Sequence, residues 1–221
     1  MRIILLILLL LVTLSVRAHD TRSVSDNDDP DVITIENVEC VGSDRAIVVC
    51  VLGMGAKSVR FGDKALPKLC SAQTEMGYGS VEIYGLQLGD GHTIADVTVE
   101  VENKRYSEVE VHSVADVNQS LPFIVTEALR GFNSPAMLTI EGTSPNERIV
   151  GGVSLFALNW ARVRILNLVT NIMGQEARTI IETYHYGPVY WVAAHVRINP
   201  KENSTVRPAK VIRQTRKPAY R

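Results

Sequence analysis

Alternation of apolar and polar positions dominates the first half of the chain. "VITIENVEC" (32–40) and "RAIVVCVL" (45–52) are rich in β-branched residues, and the "VGSD" between them reads as a turn. The second run is apolar enough for a central strand. "GMGAK" breaks the pattern, and a short strand at "SVRF" is closed by Gly62-Asp63. "GSVEIYGLQL" (79–88) runs into Gly89-Asp90-Gly91, a turn whose glycines suit positive φ. "ADVTVEVENKRYSEVEVHS" then puts Val97, Val99 and Val101 on one face, with Thr98 and Glu100 on the other. Asn103-Lys104 marks a bend, and Tyr106, Val109 and Val111 return with similar alternation. This predicts an antiparallel hairpin with one face buried and the other mostly glutamate.

"ADVNQSLP" (115–122), polar and ending in proline, is the best internal boundary. Beyond it "AMLTIEG" reads as a strand and "TSPNE" as a loop. "SLFALNWARVRILNLVTNIMG" (154–174) sets Leu155, Leu158, Ala161, Ile165, Leu168, Val169 and Ile172 at helical spacing, with Ser154 and Gly174 as caps. That predicts one amphipathic helix, with a strand pair as the rival because the segment holds several β-branched residues. "ARTIIETYHYGPVYWVAAHVRINP" reads as two strands about Tyr186-Gly187-Pro188. The expected fold is mainly β (α+β). An antiparallel β-sandwich-like half spans 32–114, and a β-rich half with one helix spans 120–200.

The ends of the chain differ from this body. Met1-Arg2, the apolar run from Ile3 to Val12, and the small residues up to Ala18 have the order of a cleaved secretory signal peptide, 1–18. That run is shorter than the roughly 18–20 apolar residues that span a bilayer, so no stable membrane insertion is expected. Residues 19–31, with five aspartates and one arginine, lack apolar periodicity and are expected to be disordered. Residues 201–221 carry seven basic residues and Glu202, and read as a basic disordered tail. The whole chain has 23 Lys+Arg and 24 Asp+Glu. With the tail so basic, the body is mildly acidic, which argues against nucleic acid as a partner.

An oxidising compartment gives meaning to the three cysteines, Cys40, Cys50 and Cys70. If 32–40 and 45–52 formed a simple hairpin, Cys40 and Cys50 would be too far apart to bridge. A bridge from Cys70 to Cys50 is expected, with one thiol left unpaired. Asn118-Gln-Ser and Asn203-Ser-Thr are glycosylation acceptors, the second the better placed in a polar tail.

One short stretch carries a specific chemical suggestion. Arg148-Ile149-Val150-Gly151-Gly152 resembles the activation site of trypsin-like serine protease zymogens, and "YWVAAHV" (190–196) resembles the stretch that holds their catalytic histidine. The resemblance implies Ile149 as a new N-terminus and His195 as general base. A triad also needs a serine nucleophile and an orienting aspartate. The 26 residues after His195 contain no aspartate and no glycine, and no GDSGG-like stretch occurs anywhere. The family's two-barrel fold does not fit the 73 residues from Ile149 onward. No catalytic residue is therefore assigned, and no enzymatic activity is expected.

The remaining constellations are weaker. The histidines 19, 92, 112, 185 and 195 never fall at metal-ligand spacing, so no metal and no cofactor is expected. Gly53-Met-Gly55 and Gly89-Asp-Gly91 read as turns rather than phosphate loops. Glu100, Glu102, Glu108 and Glu110 would form a solvated strand face, with a calcium site across the hairpin as the sharper reading. Tyr184, Tyr186, Tyr190 and Trp191 form an aromatic cluster that packs a hairpin or offers a binding platform. The function expected is that of a secreted, non-enzymatic interaction or structural protein acting through β-sheet surfaces on an extracellular protein or acidic glycan. The alternative is a carrier of a small apolar ligand or lipid, cupped between the sheet and the 154–173 helix.

Overall fold

Two long strands organise the molecule. In the computed structural model, which describes residues 19–20, 31–75, 77, 79–102, 107–125, 128–132, 136–140, 148–157, 165–170, 177–181, 189–202 and 207–214, every regular element is a strand. They are β1 (His19–Asp20), β2 (Val32–Gly53), β3 (Ala56–Phe61), β4 (Lys64–Ala65), β5 (Lys68–Gln73), β6 (Ser80–Val101), β7 (Glu108–Ala115) and β8 (Phe123–Val125). The second half adds β9 (Leu129–Phe132), β10 (Ala136–Ile140), β11 (Arg148–Ala157), β12 (Ile165–Thr170), β13 (Ala177–Ile181), β14 (Val189–Ile198) and β15 (Arg207–Gln214). The fold is mainly antiparallel β; the pair β1–β15 is parallel. The expected signal peptide lies outside the described residues.

β2 and β6 are each 22 residues long and pair antiparallel from Val32↔Glu100 to Gly53↔Ser80. The ladder breaks where Gly42–Arg45 faces Gly89–Gly91. There Asp44 has φ 46°, while Gly42, Gly89 and Gly91 have φ of 121°, 66° and 122°, values open mainly to glycine. "VGSD" is thus a bend within one strand and not the turn of a hairpin. Ile33 and Ile35, before the bend, share a core with Ile47, Val49 and Val51 after it. A straight strand would hold residues 33 and 51 about 60 Å apart. The paired ribbon therefore folds back on itself over this core.

Arg45 fixes the bend. It is only 3% exposed. Its Nε donates to Gly89 O at 2.8 Å, Nη1 to Cys40 O at 2.8 Å and Thr93 Oγ1 at 3.0 Å, and Nη2 to Leu88 O at 3.3 Å and Asp90 O at 3.0 Å. All five guanidinium N–H groups thereby find oxygen acceptors. A bend frees backbone carbonyls from the ladder, and an arginine reaches several at once.

The fold-back also explains a departure from the expected 97–111 hairpin. β6 and β7 do not pair; β2 lies between them in the order β1-β15-β7-β2-β6-β3-β4, with β5 also on β6. Because the ribbon is doubled, the end of β6 comes beside Gly55 and Ala56, where Glu102 N donates to Gly55 O. β7 lies on the far side of β2. Of 45–52, read as a central strand, residues 46–52 hold that place, paired to β6 on one side and β7 on the other and buried throughout.

The even positions of that stretch, Ala46, Val48, Cys50 and Leu52, face a second core. It is closed by Val150 of β11 and Val192, Ala194, Val196 and Ile198 of β14. These belong to a five-stranded sheet of order β12-β11-β14-β8, with β9 also on β14. Val117, in the stretch read as a boundary, is fully buried in the same core. Gly152 permits the close approach of the two sheets, since a Cβ there would lie 2.5 Å from Leu52 Cδ2. β10 and β13 form a separate two-stranded sheet.

The expected helix over 154–174 is corrected by the same arrangement. Ser154–Ala157 is the end of β11, Ile165–Thr170 is β12, and the two pair with Ser154↔Ile165 in register. β11 is hydrogen-bonded on its other edge to β14 and buried on both faces at Arg148–Ser154. A strand buried on both faces is apolar at both parities, and such a run also satisfies helical spacing. The tail expected to be disordered contributes Arg207–Gln214 as β15, which pairs with β7 and covers its open edge. His19–Asp20, in the segment expected to be disordered, pairs with β15.

Candidate functional site

β7 brings the charged residues together. Val109 and Val111 point into the first core, while Val114 faces the second. By alternation, Glu108, Glu110 and His112 share the face of Val114. All three are buried. Sequence alternation alone made the two glutamates part of a solvated face. The five-stranded sheet lies over that face and buries them, and β2 separates them from Glu100 and Glu102, so the four carboxylates do not face one another. No group that could hold a metal ion occurs among the described residues.

Opposite β7, β11 supplies Arg148, 4% exposed, on the same face as Val150 and Gly152. His112 Nε2 and Glu110 Oε1 are 3.1 Å apart. Burial pushes the His112 pKa below its ordinary value; the Glu110 hydrogen bond and charge oppose this, and Arg148 adds to it. Burial lowers Arg148 as well, against the attraction of Glu110. Arg148 Nε and Nη1 and His112 Nδ1 have no hydrogen-bond partner among the described residues.

The protease-like motif lies within a strand ladder. Ile149 sits opposite Arg197 and Gly151 opposite His195 in the β11–β14 ladder. Arg148 and Ile149 are both buried within a strand, so the bond between them is not displayed to a protease. His195 is held neutral, its pKa lowered to about 4 by burial first and by Arg197 second.

The aromatic cluster is divided by strand alternation. Tyr184 and Tyr186 lie outside the described residues. Trp191 is buried against Gly131 in the directly facing position, where a Cβ would lie 2.4 Å from the indole. Tyr190 points to the opposite face and meets Phe132, ring centroids 4.4 Å apart at 34°. Phe132 is 46% exposed, and Arg130, exposed, shares its side of β9. Further along β14 the same face is covered by the second core; at its start the half-buried Tyr190 carries the exposed Phe132. Phe132 was not singled out in the sequence, because "ALRGF" carries no alternation long enough to read.

Cys50 and Cys70 both stand opposite Ile83, on the two sides of β6. Two strand spacings put their Cα atoms roughly 9–10 Å apart, beyond the roughly 7 Å that a bridge tolerates. No bridge joins Cys50 and Cys70 in the structure, where Cys40, Cys50 and Cys70 are each unbridged. Cys40 faces the first core and Cys50 the second. Asn118 Oδ1 accepts from Ser120 N at 2.9 Å and Leu121 N at 3.0 Å, a local turn within its acceptor triplet, while Asn203 lies outside the described residues.

No protein-family model, no curated protein and no solved structure matches this chain. No helix among the described residues is long and apolar enough to cross a membrane.

Proposed function

We propose that this chain is a secreted, non-enzymatic interaction protein with a sandwich-like β scaffold, and that it engages an extracellular protein through a sheet surface. The observation that carries this reading is the Phe132–Tyr190 pair, stacked at 4.4 Å with Phe132 46% exposed beside the exposed Arg130. Aromatic rings and arginine supply much of the energy in protein interfaces, because rigid rings give contact area at small entropic cost. Secretion rests on the N-terminal charge, apolar core and small-residue exit at Ala18. The carrier alternative loses the helical wall it required, since strands occupy 154–157 and 165–170.

The test is expression with a C-terminal tag in a eukaryotic secretory host. The medium should contain chain beginning at His19, and it should bind cell surfaces more than tenfold better than the Phe132→Ala, Tyr190→Ala double variant. Retention of the full-length chain inside cells would overturn the secretory reading. Equal binding by both proteins would overturn the aromatic surface.

A further inference from the structure

We propose that Glu110, His112 and Arg148 form an acid-opened latch between the eight-stranded and five-stranded sheets. The argument begins with one nitrogen. His112 is 1% exposed, and in its neutral form Nε2–H donates to Glu110 Oε1 at 3.1 Å. That leaves Nδ1 to receive the next proton. Nδ1 is buried and has no hydrogen-bond partner among the described residues. A proton there makes a buried N–H with no acceptor, on a ring that also feels the Arg148 charge. Water can solvate it only if the sheets part.

The surroundings offer no easy relief. On β7 the facing groups are Glu108 and Glu110; on β11 the cation is Arg148, whose Nε and Nη1 are themselves unpartnered among the described residues. β2 contributes Val48 opposite His112 and Cys50 opposite Glu110. β15 sets Val211 opposite His112, Arg213 opposite Glu110 and Lys210 opposite Ser113. On β14, Ile198 stands opposite Arg148 in register. The cluster therefore lies at the seam between sheets, where a charge imbalance acts on their separation.

The direction follows from proton linkage. The closed state holds His112 below its ordinary value, so it takes up the proton less readily than an opened state. Closure is favoured above about pH 6.5, the ordinary histidine value, and weakens as pH falls below it. One such histidine can raise the open population by at most roughly thirtyfold between pH 7.5 and 5.0.

The two buried thiols make the opening measurable. Cys50 lies in the core between the sheets, and Cys40 lies in the other core. The full chain is treated with a pyridyl disulfide, which reacts with thiols at acid pH, and each cysteine is quantified by peptide mass mapping against the denatured chain. Between pH 7.5 and 5.0, Cys50 labelling should rise tenfold or more while Cys40 stays protected. His112→Gln should flatten the Cys50 profile, and His195→Asn, on the opposite face of β14, should leave it intact. Cys40 and Cys50 rising together would mean global unfolding and would overturn the latch. So would a flat wild-type profile, or an unchanged profile in His112→Gln. If His112→Gln does not fold, the Cys50-to-Cys40 ratio in the wild type and in His195→Asn still decides.

Discussion

Arg45 and Arg148 are both buried in strands, 3% and 4% exposed, yet they are held in opposite ways. Arg45 satisfies its five N–H groups with four backbone carbonyls and the Thr93 hydroxyl. Arg148 lies near the Glu110 charge but leaves Nε and Nη1 without partners among the described residues. The first arginine closes a bend within one ribbon, where its acceptors are parts of the backbone and cannot be replaced. The second joins two sheets through side chains, which can be. One is built as a fixed joint and the other as a contact that permits change.

Replacing each arginine by methionine tests the contrast. Arg45→Met strands acceptors on both β2 and β6 at once, and should destabilise the fold by about 3–5 kcal/mol. No second substitution should restore it, because its partners are main-chain carbonyls. Arg148→Met should destabilise by about 3 kcal/mol, since a buried Glu110 loses its nearby cation. Adding Glu110→Gln should recover all but about 1 kcal/mol of that loss, because a buried charge pair is often no better than a neutral one. Denaturant melts of the four proteins decide. If Glu110→Gln fails to rescue Arg148→Met, the two arginines are not different in kind.

The two sheets also approach closely at Gly152. A Cβ there would stand 2.5 Å from Leu52 Cδ2, with Leu52 buried in the second core. Gly152→Ala should cost about 1–3 kcal/mol by overpacking. Leu52→Val in the same chain should return part of that loss, whereas it destabilises the wild type. The pair thus distinguishes a steric seam from a general glycine effect, which Leu52→Val would leave untouched.

How much of this was legible in the sequence depends on the range of the interaction. The strands of 32–101 were readable because alternation is local, and "RAIVVCVL" showed its central position by being almost wholly apolar. The bend was half visible: Gly42, Gly89 and Gly91 marked turns, but nothing local says that residue 42 and residue 90 turn together. Arg45 looked like the polar start of a strand, since its acceptors at 88–93 lie more than forty residues away. Glu108 and Glu110 looked solvent-facing because a period of two separates faces without saying what covers them. For 154–174, apolar residues at both parities fit helix and strand periods alike. The placement of Cys50 and Cys70 was hidden for a related reason, since pairing both cysteines to Ile83 requires knowing that β6 runs between them.

The smallest expected effect concerns Phe132 and its partner Tyr190, and it separates surface from scaffold. Phe132 packs on Tyr190 at 4.4 Å but remains 46% exposed, so Phe132→Ala removes a side chain nearly half of which is still wet. Its loss should cost less than about 1 kcal/mol of stability, near the value of one partly solvated aromatic pair. Trp191, the next residue to Tyr190, is buried on the other face against Gly131, and Trp191→Ala should cost about 3–5 kcal/mol. Two neighbouring aromatic positions on β14 thus have opposite duties, because successive strand side chains face opposite ways. Thermal melts should show Phe132→Ala nearly unchanged from wild type, with surface binding as the property it alters. A Phe132→Ala chain as unstable as Trp191→Ala would make the pair part of the core and remove it as a docking surface.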